Sequence, residues 1–206
     1  MAFALKSNRT ITMLSLDKND IGPEGGVALA EALKSNDHLT ALHVYGTKIG
    51  PSGTAALCAA LSVNKTLETL NLGKCGLGPE GGMAMAASLR DGVSVQALFI
   101  QSNGLGEEAG VAIAEAVAES QSLEVLRIQD NKLGAKAGHA FAELLAASVV
   151  LEHLDITKNG LGTEAGLAIA EALEKSSNDG LKLEVLKDNG LGKDVLERIK
   201  KDERVC

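Results

Sequence analysis

The segment most suggestive of chemistry is "GLGPEG" at residues 76–81, between a strand-like run, "LETLNL", and a helix-like run, "GMAMAASLR". A GxGxxG turn between strand and helix is typical of dinucleotide-binding proteins, in which the glycines admit a pyrophosphate at a helix N-terminus. Near-copies of the segment begin at Gly104 and Gly160. Because a chain of 206 residues does not need three dinucleotide folds, we interpret these glycines as repeated structural positions and predict no cofactor.

Composition excludes several further classes of function. The net charge of -7 disfavours nucleic acid as a partner, since neutralising phosphates requires clustered Lys and Arg. No stretch approaches the ~18 continuous apolar residues of a membrane span. The core residues are Leu, Ile, Val and Ala with only 2% aromatics, which suits regular layers better than a small-molecule pocket. Three dispersed cysteines without a CxxC spacing indicate a reducing, cytoplasmic location.

An apolar residue followed by glycine recurs along the chain at a constant interval. The glycines of six such pairs are each 28 residues apart, and a seventh follows after 30: Gly22, Gly50, Gly78, Gly106, Gly134, Gly162 and Gly192. Each unit contains LxxLxLxxN/CxL, whose "LxL" alternation predicts a short strand with the leucines facing the core. Glycine at all seven positions predicts a positive φ there.

A polar column precedes each glycine by three residues and predicts a buried ladder of hydrogen bonds. Its members are Asn19, Thr47, Cys75, Asn103, Asn131, Asn159 and Asn189. An asparagine there can satisfy backbone groups of its own turn and the adjacent one, whereas Thr47 and Cys75 offer only part of that hydrogen bonding.

A helix is predicted after each glycine, with Pro23, Pro51 and Pro79 at an early helical position. One strand and one helix cannot bury their apolar faces alone, so the units must stack. We therefore predict one domain, residues 1–206, of about seven repeats: a curved, right-handed α/β solenoid with a parallel sheet on the concave face and helices on the convex face.

The repeat "LxxLxLxxNxIGxEGGxALAEALKxN" resembles the 28-residue, α-helical class of leucine-rich repeat, over nearly the whole chain. That class occurs in ribonuclease inhibitor, in nucleotide-binding innate-immune receptors and in the Ran GTPase-activating protein. The resemblance implies a horseshoe fold whose surface binds another protein. Ribonuclease inhibitors are longer and rich in cysteine, and the GTPase activators carry an acidic tail, so no catalytic or binding residue of either is carried over.

Both ends of the chain depart from the repeat. Residues 1–10 include "ALKSNRTI", which matches "ALKSNDHL" at 32–39 and predicts either the tail of a preceding repeat or a minimal cap. Residues 191–206 predict a polar helix that ends the stack, with Lys200 and Glu203 at positions that are apolar in earlier helices.

The histidines do not predict a metal or catalytic site. His43 and His153 fall on strands four repeats apart, which at ~4.8 Å per strand is nearly 20 Å. The repeat positions do not place any Ser/His/Asp or Cys/His group close together. We therefore predict that the protein is not an enzyme.

The outward strand positions of the concave face form the predicted partner-binding surface. It comprises His43, Tyr45, Asn71, Phe99, Gln101, Arg127, Gln129 and Asp155. Tyr45 and Phe99 are two of only four aromatic residues and Arg127 adjoins Phe99; aromatics and Arg are the usual anchors of interfaces. We predict a monomeric scaffold that binds an unidentified protein. The alternatives are a GTPase-activating regulator, or a segment of a larger receptor or cytoskeletal scaffold.

Overall fold

The computed structural model describes residues 2–206, in which eight helices alternate with seven three-residue strands. The strands are β1 Met13–Ser15, β2 Ala41–His43, β3 Thr69–Asn71, β4 Ala97–Phe99, β5 Val125–Arg127, β6 His153–Asp155 and β7 Lys182–Glu184. The helices are α1 Ala2–Ser7, α2 Gly22–Leu33, α3 Gly50–Leu61, α4 Gly78–Arg90, α5 Gly106–Glu119, α6 Gly134–Ala147, α7 Gly162–Lys175 and α8 Lys193–Ile199.

The strands form one parallel sheet in the order β1 to β7, so each strand pairs only with its neighbours in sequence. From β1 to β6 the pairing joins residues 28 apart, such as Leu14 with Leu42 and Leu98 with Leu126. The 28-residue period of the sequence is therefore also the offset between paired residues of adjacent strands. The predicted α/β solenoid is confirmed, with the sheet lining the concave face.

The core lies between the sheet and the helices. Central strand leucines such as Leu42, Leu70 and Leu98 are fully buried, as are Leu33 and Leu61 on the inner faces of their helices. The first repeat is the exception. Ile11 is 38% exposed and Met13 is 63% exposed, because no strand precedes β1 in the described residues.

The repeated glycines adopt the predicted conformation at six of seven positions. Their φ angles run from +63° at Gly78 to +80° at Gly162. Each of the six donates its N–H to a backbone carbonyl of the polar column in the next repeat, as Gly78 does to Asn103 at 3.1 Å. The prediction is wrong for Gly192, which has φ -65° and ψ 155°. Residues 193–206 contain no further asparagine turn to supply the carbonyl that binds the amides of the other six.

A second column of left-handed residues lies four positions before the repeated glycine. It includes Lys18, Lys74, Ser102, Asp130, Lys158 and Asp188, with φ between +53° and +59°. Sequence reasoning missed this column because most of its members are not glycine. Its only sequence signal is Gly46, which occupies the same place in the second repeat with φ +70°.

The asparagine ladder forms as predicted. Asn103 Oδ1 accepts from the amide of Cys75 at 2.8 Å, and Asn103 Nδ2 donates to the carbonyls of Leu72 and Ile100 at 2.9 Å each. Asn131 repeats this pattern on Asn103 and Ile100. Each side chain thus joins its own turn to the preceding one.

Helix spacing depends on a second glycine four residues after the first, present as Gly26, Gly82, Gly110, Gly138 and Gly166 and replaced by Thr54 in the second repeat. A Cβ built on Gly82 would lie 2.7 Å from Cβ of Ala109 in the next helix, and one on Gly138 would lie 2.6 Å from Cβ of Ala165. Gly81, one residue earlier, is limited by its own turn, because a Cβ there would lie 3.0 Å from Cβ of Leu77. The tightest contacts are between consecutive helices.

The two ends of the solenoid are built differently. Leu5 of α1 is buried, and Asn36 Nδ2 donates to its carbonyl at 2.7 Å. At the other end, α8 covers only residues 193–199, so the predicted helix over 191–206 is too long. Val205 forms a parallel bridge with Leu183 of the last strand. That pairing removes the final residues from the helix because it satisfies edge groups of β7.

Candidate functional site

Five of the predicted surface residues lie in one row across the sheet. Strand register places His43 beside Asn71, Asn71 beside Phe99, Phe99 beside Arg127 and Arg127 beside Asp155. Parallel strands lie about 4.8 Å apart, so the row is continuous for side-chain contacts. The structure therefore brings these predicted residues together.

The next row is organised around Gly73, whose missing side chain leaves room for its neighbours. A Cβ on Gly73 would lie 2.5 Å from Gln101 Nε2 and 2.8 Å from Cδ2 of Tyr45. Tyr45 and Gln101 thus lean over Gly73 from the two flanking strands. Lys74 Nζ lies 5.8 Å from the centre of the Tyr45 ring, within the range of a cation–π interaction.

Arg127 lies over the other concave aromatic residue, with its guanidinium carbon 5.7 Å from the centre of the Phe99 ring. Arg127 Nε is buried and has no acceptor. The Oε1 atoms of Gln101 and Gln129 are also buried, and neither has a donor. Tyr45 and Phe99 are half-buried, whereas the strand alternation predicts exposed positions for both. They are half-buried because each packs against the long side chains of adjacent strands.

Asp155 differs from the expected outward-facing contact residue because the residue is only 5% exposed. Asp155 Oδ1 accepts from the amide of Thr157 at 3.0 Å and from its hydroxyl at 2.7 Å. These bonds fold the carboxylate back onto its own strand. Beside it, His153 Nε2 lies 3.0 Å from Glu184 Oε1.

A groove of about 510 Å³ runs along the concave face near the carboxyl ends of the strands. Tyr45, Gln101, Gln129 and Asp155 line it together with residues that sequence reasoning missed: Lys74, Ser102, Asp130, Thr157, Lys158, Glu184 and Lys187. Four of the missed residues, Lys74, Ser102, Asp130 and Lys158, belong to the left-handed column. These four residues lie after the strands end, where the in-and-out alternation of strand side chains no longer applies. Alternation alone therefore does not predict that they line the groove.

The "GLGPEG" segment contains no free phosphate-binding turn. Gly76 and Gly78 have φ of +69° and +63°, but the Gly78 amide is already donated to Asn103 in the next repeat. A pyrophosphate would need that donor. The three glycines therefore act within the solenoid, as the repeat phase predicts.

The remaining chemistry-bearing residues stay apart. Among residues 2–206, no group of three or more His, Cys, Asp or Glu side chains could hold a metal ion. Burial raises the pKa of the Cys58 thiol to about 12, so this thiol is not a nucleophile at neutral pH. Within the same residues, no helix is long and apolar enough to cross a membrane.

Strand–helix units stacked in register, with an asparagine ladder at the turns, define a solenoid repeat protein. The family model described as "Leucine Rich repeat" matches residues 7–30, 35–58, 63–86, 119–142 and 147–170. The chain therefore belongs to the leucine-rich repeat family. No curated protein matches it.

Solved structures with this fold include a leiomodin domain and a tropomodulin domain. One is described as "Leiomodin-1 Actin-Binding Site 2 (ABS2)", with a TM-score of 0.52 and 18% identity over 84% of this chain and 86% of that chain. The other is the tropomodulin C-terminal domain of Caenorhabditis elegans, with a TM-score of 0.52 and 16% identity over 84% of this chain and 89% of that chain. At this identity the likeness shows the fold alone.

Proposed function

We propose that the protein is a non-enzymatic scaffold that binds a partner protein through its concave sheet. The observation that carries the proposal is the pair of half-buried aromatic residues on this face, Tyr45 under Lys74 and Phe99 under Arg127. Rigid aromatic side chains next to cations are the usual centre of an interface, because they bury much area for little loss of conformational freedom. Between them, Gln101 and Arg127 hold polar atoms without partners.

The test combines binding with a folding control. Affinity capture from the source cell identifies a partner, and the purified partner is then titrated against Tyr45→Ala and Phe99→Ala. Each variant should weaken binding by about 1–3 kcal/mol, as interface anchors do, and both should remain folded. Val149→Ala is the matched control, since Val149 is also exposed and apolar but lies outside the concave rows. Unchanged affinity in both aromatic variants would refute the site.

A cytoskeletal partner is the second candidate, because one structural neighbour is described as an actin-binding site. Co-sedimentation with filamentous actin, with Tyr45→Ala as the comparison, tests this assignment directly. GTPase activation, the alternative from sequence resemblance, predicts faster GTP hydrolysis by a small GTPase. A passive scaffold gives no acceleration. The monomeric state and cytoplasmic location stay predictions.

A further inference from the structure

Three asparagines of the ladder are followed by identical residues. The pairs are Asn103–Gly104, Asn159–Gly160 and Asn189–Gly190, and Leu-Gly comes next in every case. Asparagine is a thermolabile residue, and a following glycine favours its spontaneous deamidation because no side chain hinders attack by the glycine nitrogen. Since the local sequence is shared, a large difference in reactivity between the three sites must come from the folded structure.

The reaction needs only water as a co-reactant. The nitrogen of the following glycine forms a bond to Cγ of the asparagine, and the Cγ–Nδ2 bond breaks. The departing nitrogen takes up the glycine proton and leaves as ammonia. Water then hydrolyses one C–N bond of the succinimide, which gives aspartate or isoaspartate. In all three pairs the glycine is exposed, its amide donates no hydrogen bond within residues 2–206, and a Cβ built on it meets no atom within 4 Å.

The ladder protects the asparagine side chains while the protein is folded. Asn189 Nδ2 donates to the carbonyls of Ile156 and Val185 at 3.0 and 2.7 Å, and its Oδ1 accepts the Asn159 amide at 2.8 Å. Asn103 and Asn159 make the corresponding bonds, and all three residues are at most 5% exposed. These bonds fix the side-chain amide and hold its departing nitrogen, so the reaction requires the turn to open first.

Asn189 differs from the other two because it is the last member of the ladder in the described residues. The amides of Asn103 and Asn159 are accepted by the next ladder oxygen, whereas the Asn189 amide has no acceptor within residues 2–206. The segment that packs beyond β7 is attached through Arg204, whose guanidinium donates to the carbonyl of Leu173. An end repeat has one neighbour instead of two, so it opens more readily than a central repeat.

We propose that Asn189–Gly190 is a spontaneous deamidation site, which reacts when the last repeat opens and then keeps that repeat from closing. A carboxylate at position 189 has no N–H to donate, and closing would place its charge against the carbonyls of Ile156 and Val185 in the core. Isoaspartate also adds a carbon to the main chain and so displaces the turn. An opening that is otherwise reversible thereby becomes permanent.

The test is incubation of the full chain at mildly alkaline pH, with peptide mass spectrometry to follow each asparagine. In guanidinium chloride the three sites should react at similar rates, because their local sequence is shared. In buffer, Asn189 should react about tenfold faster than Asn103 or Asn159, since end repeats open at lower free energy. Arg204→Gln should speed the reaction at Asn189 further and leave that at Asn103 unchanged. In hydrogen exchange, the deamidated protein should lose protection in β7 and keep it in β4.

Gly190→Lys is the matched control, because Lys132 occupies the same place after Asn131 with φ +59°. In guanidinium chloride this variant should slow the reaction at Asn189 to the rate of Asn131, a readout that does not depend on folding. Equal rates at the three sites in buffer, a faster reaction at Asn103, or no conversion at Asn189 while the denatured sample reacts would each overturn the inference. Unchanged protection of β7 after deamidation would overturn it as well, because the repeat would then still close.

Discussion

The asparagine ladder predicts that Cys75→Asn stabilises the protein. Asparagine Oδ1 atoms at 103, 131, 159 and 189 each accept the amide of the ladder residue one repeat earlier. Cys75 has no such oxygen, and the amide of Thr47 accordingly has no acceptor in the part of the chain that the structure describes. The Cys75 thiol instead donates to the carbonyl of Val44 at 2.9 Å.

The magnitude follows from the bonds that an asparagine would add. Its Oδ1 would accept the Thr47 amide, and its Nδ2 would reach Leu72 as well as Val44, by analogy with Asn131 on Ile128 and Ile100. The bond to Val44 replaces one that exists, so two are gained. At ~0.5–1.5 kcal/mol for each bond, the free energy of unfolding should rise by about 1–3 kcal/mol. For a chain of this length that raises Tm by about 2–12 °C.

The assay is urea unfolding of Cys75→Asn beside the reverse change, Asn103→Cys, which should lose a comparable amount. Native-state hydrogen exchange adds a local readout, because the Thr47 amide should become protected in Cys75→Asn. Greater stability without protection of Thr47 would show that another cause operates. An unchanged or lower stability, with Asn103→Cys still destabilised, would refute the reasoning that the ladder extends to this repeat.

The remaining predictions concern glycine positions and acid stability. Gly78→Ala should cost about 1–2 kcal/mol because of its φ of +63°, although a Cβ there has no neighbour within 4 Å. Gly82→Ala should lower the free energy of unfolding by about 1–3 kcal/mol through overpacking. In thermal melts, adding Ala109→Gly should restore the stability of Gly82→Ala but not that of Gly78→Ala. Arg204 holds the pKa of Asp202 below its usual range by hydrogen bonding. This pair therefore stabilises the fold above the ordinary Asp pKa of about 3.9, and the contribution is lost as pH falls through the lowered value. Asp202→Asn should reduce stability at pH 7 and flatten its decline below pH 4 in acid titrations; equal slopes would contradict the assignment.

Much of the candidate surface was predictable, because a strict 28-residue period fixes which residues are neighbours. Phe99 and Arg127 are adjacent since their strands pair in the register that the period dictates. What the pattern did not reveal is how far each side chain reaches. Gly73 shows this best, because its lack of a side chain lets Tyr45 and Gln101 turn inward, and Asp155 became buried through bonds to Thr157.

By itself the sequence determined the family, the number of strands, the order of the sheet and the columns of the core. It could do so because every unit contacts chiefly its neighbours, so local pattern and tertiary contact repeat together. Only the tertiary structure decided why Gly192 departs from the other six and why Gly82 must remain small. Both depend on contacts between repeats: Gly192 finds no acceptor carbonyl within residues 2–206, and Gly82 has the Ala109 side chain of the next helix beside it.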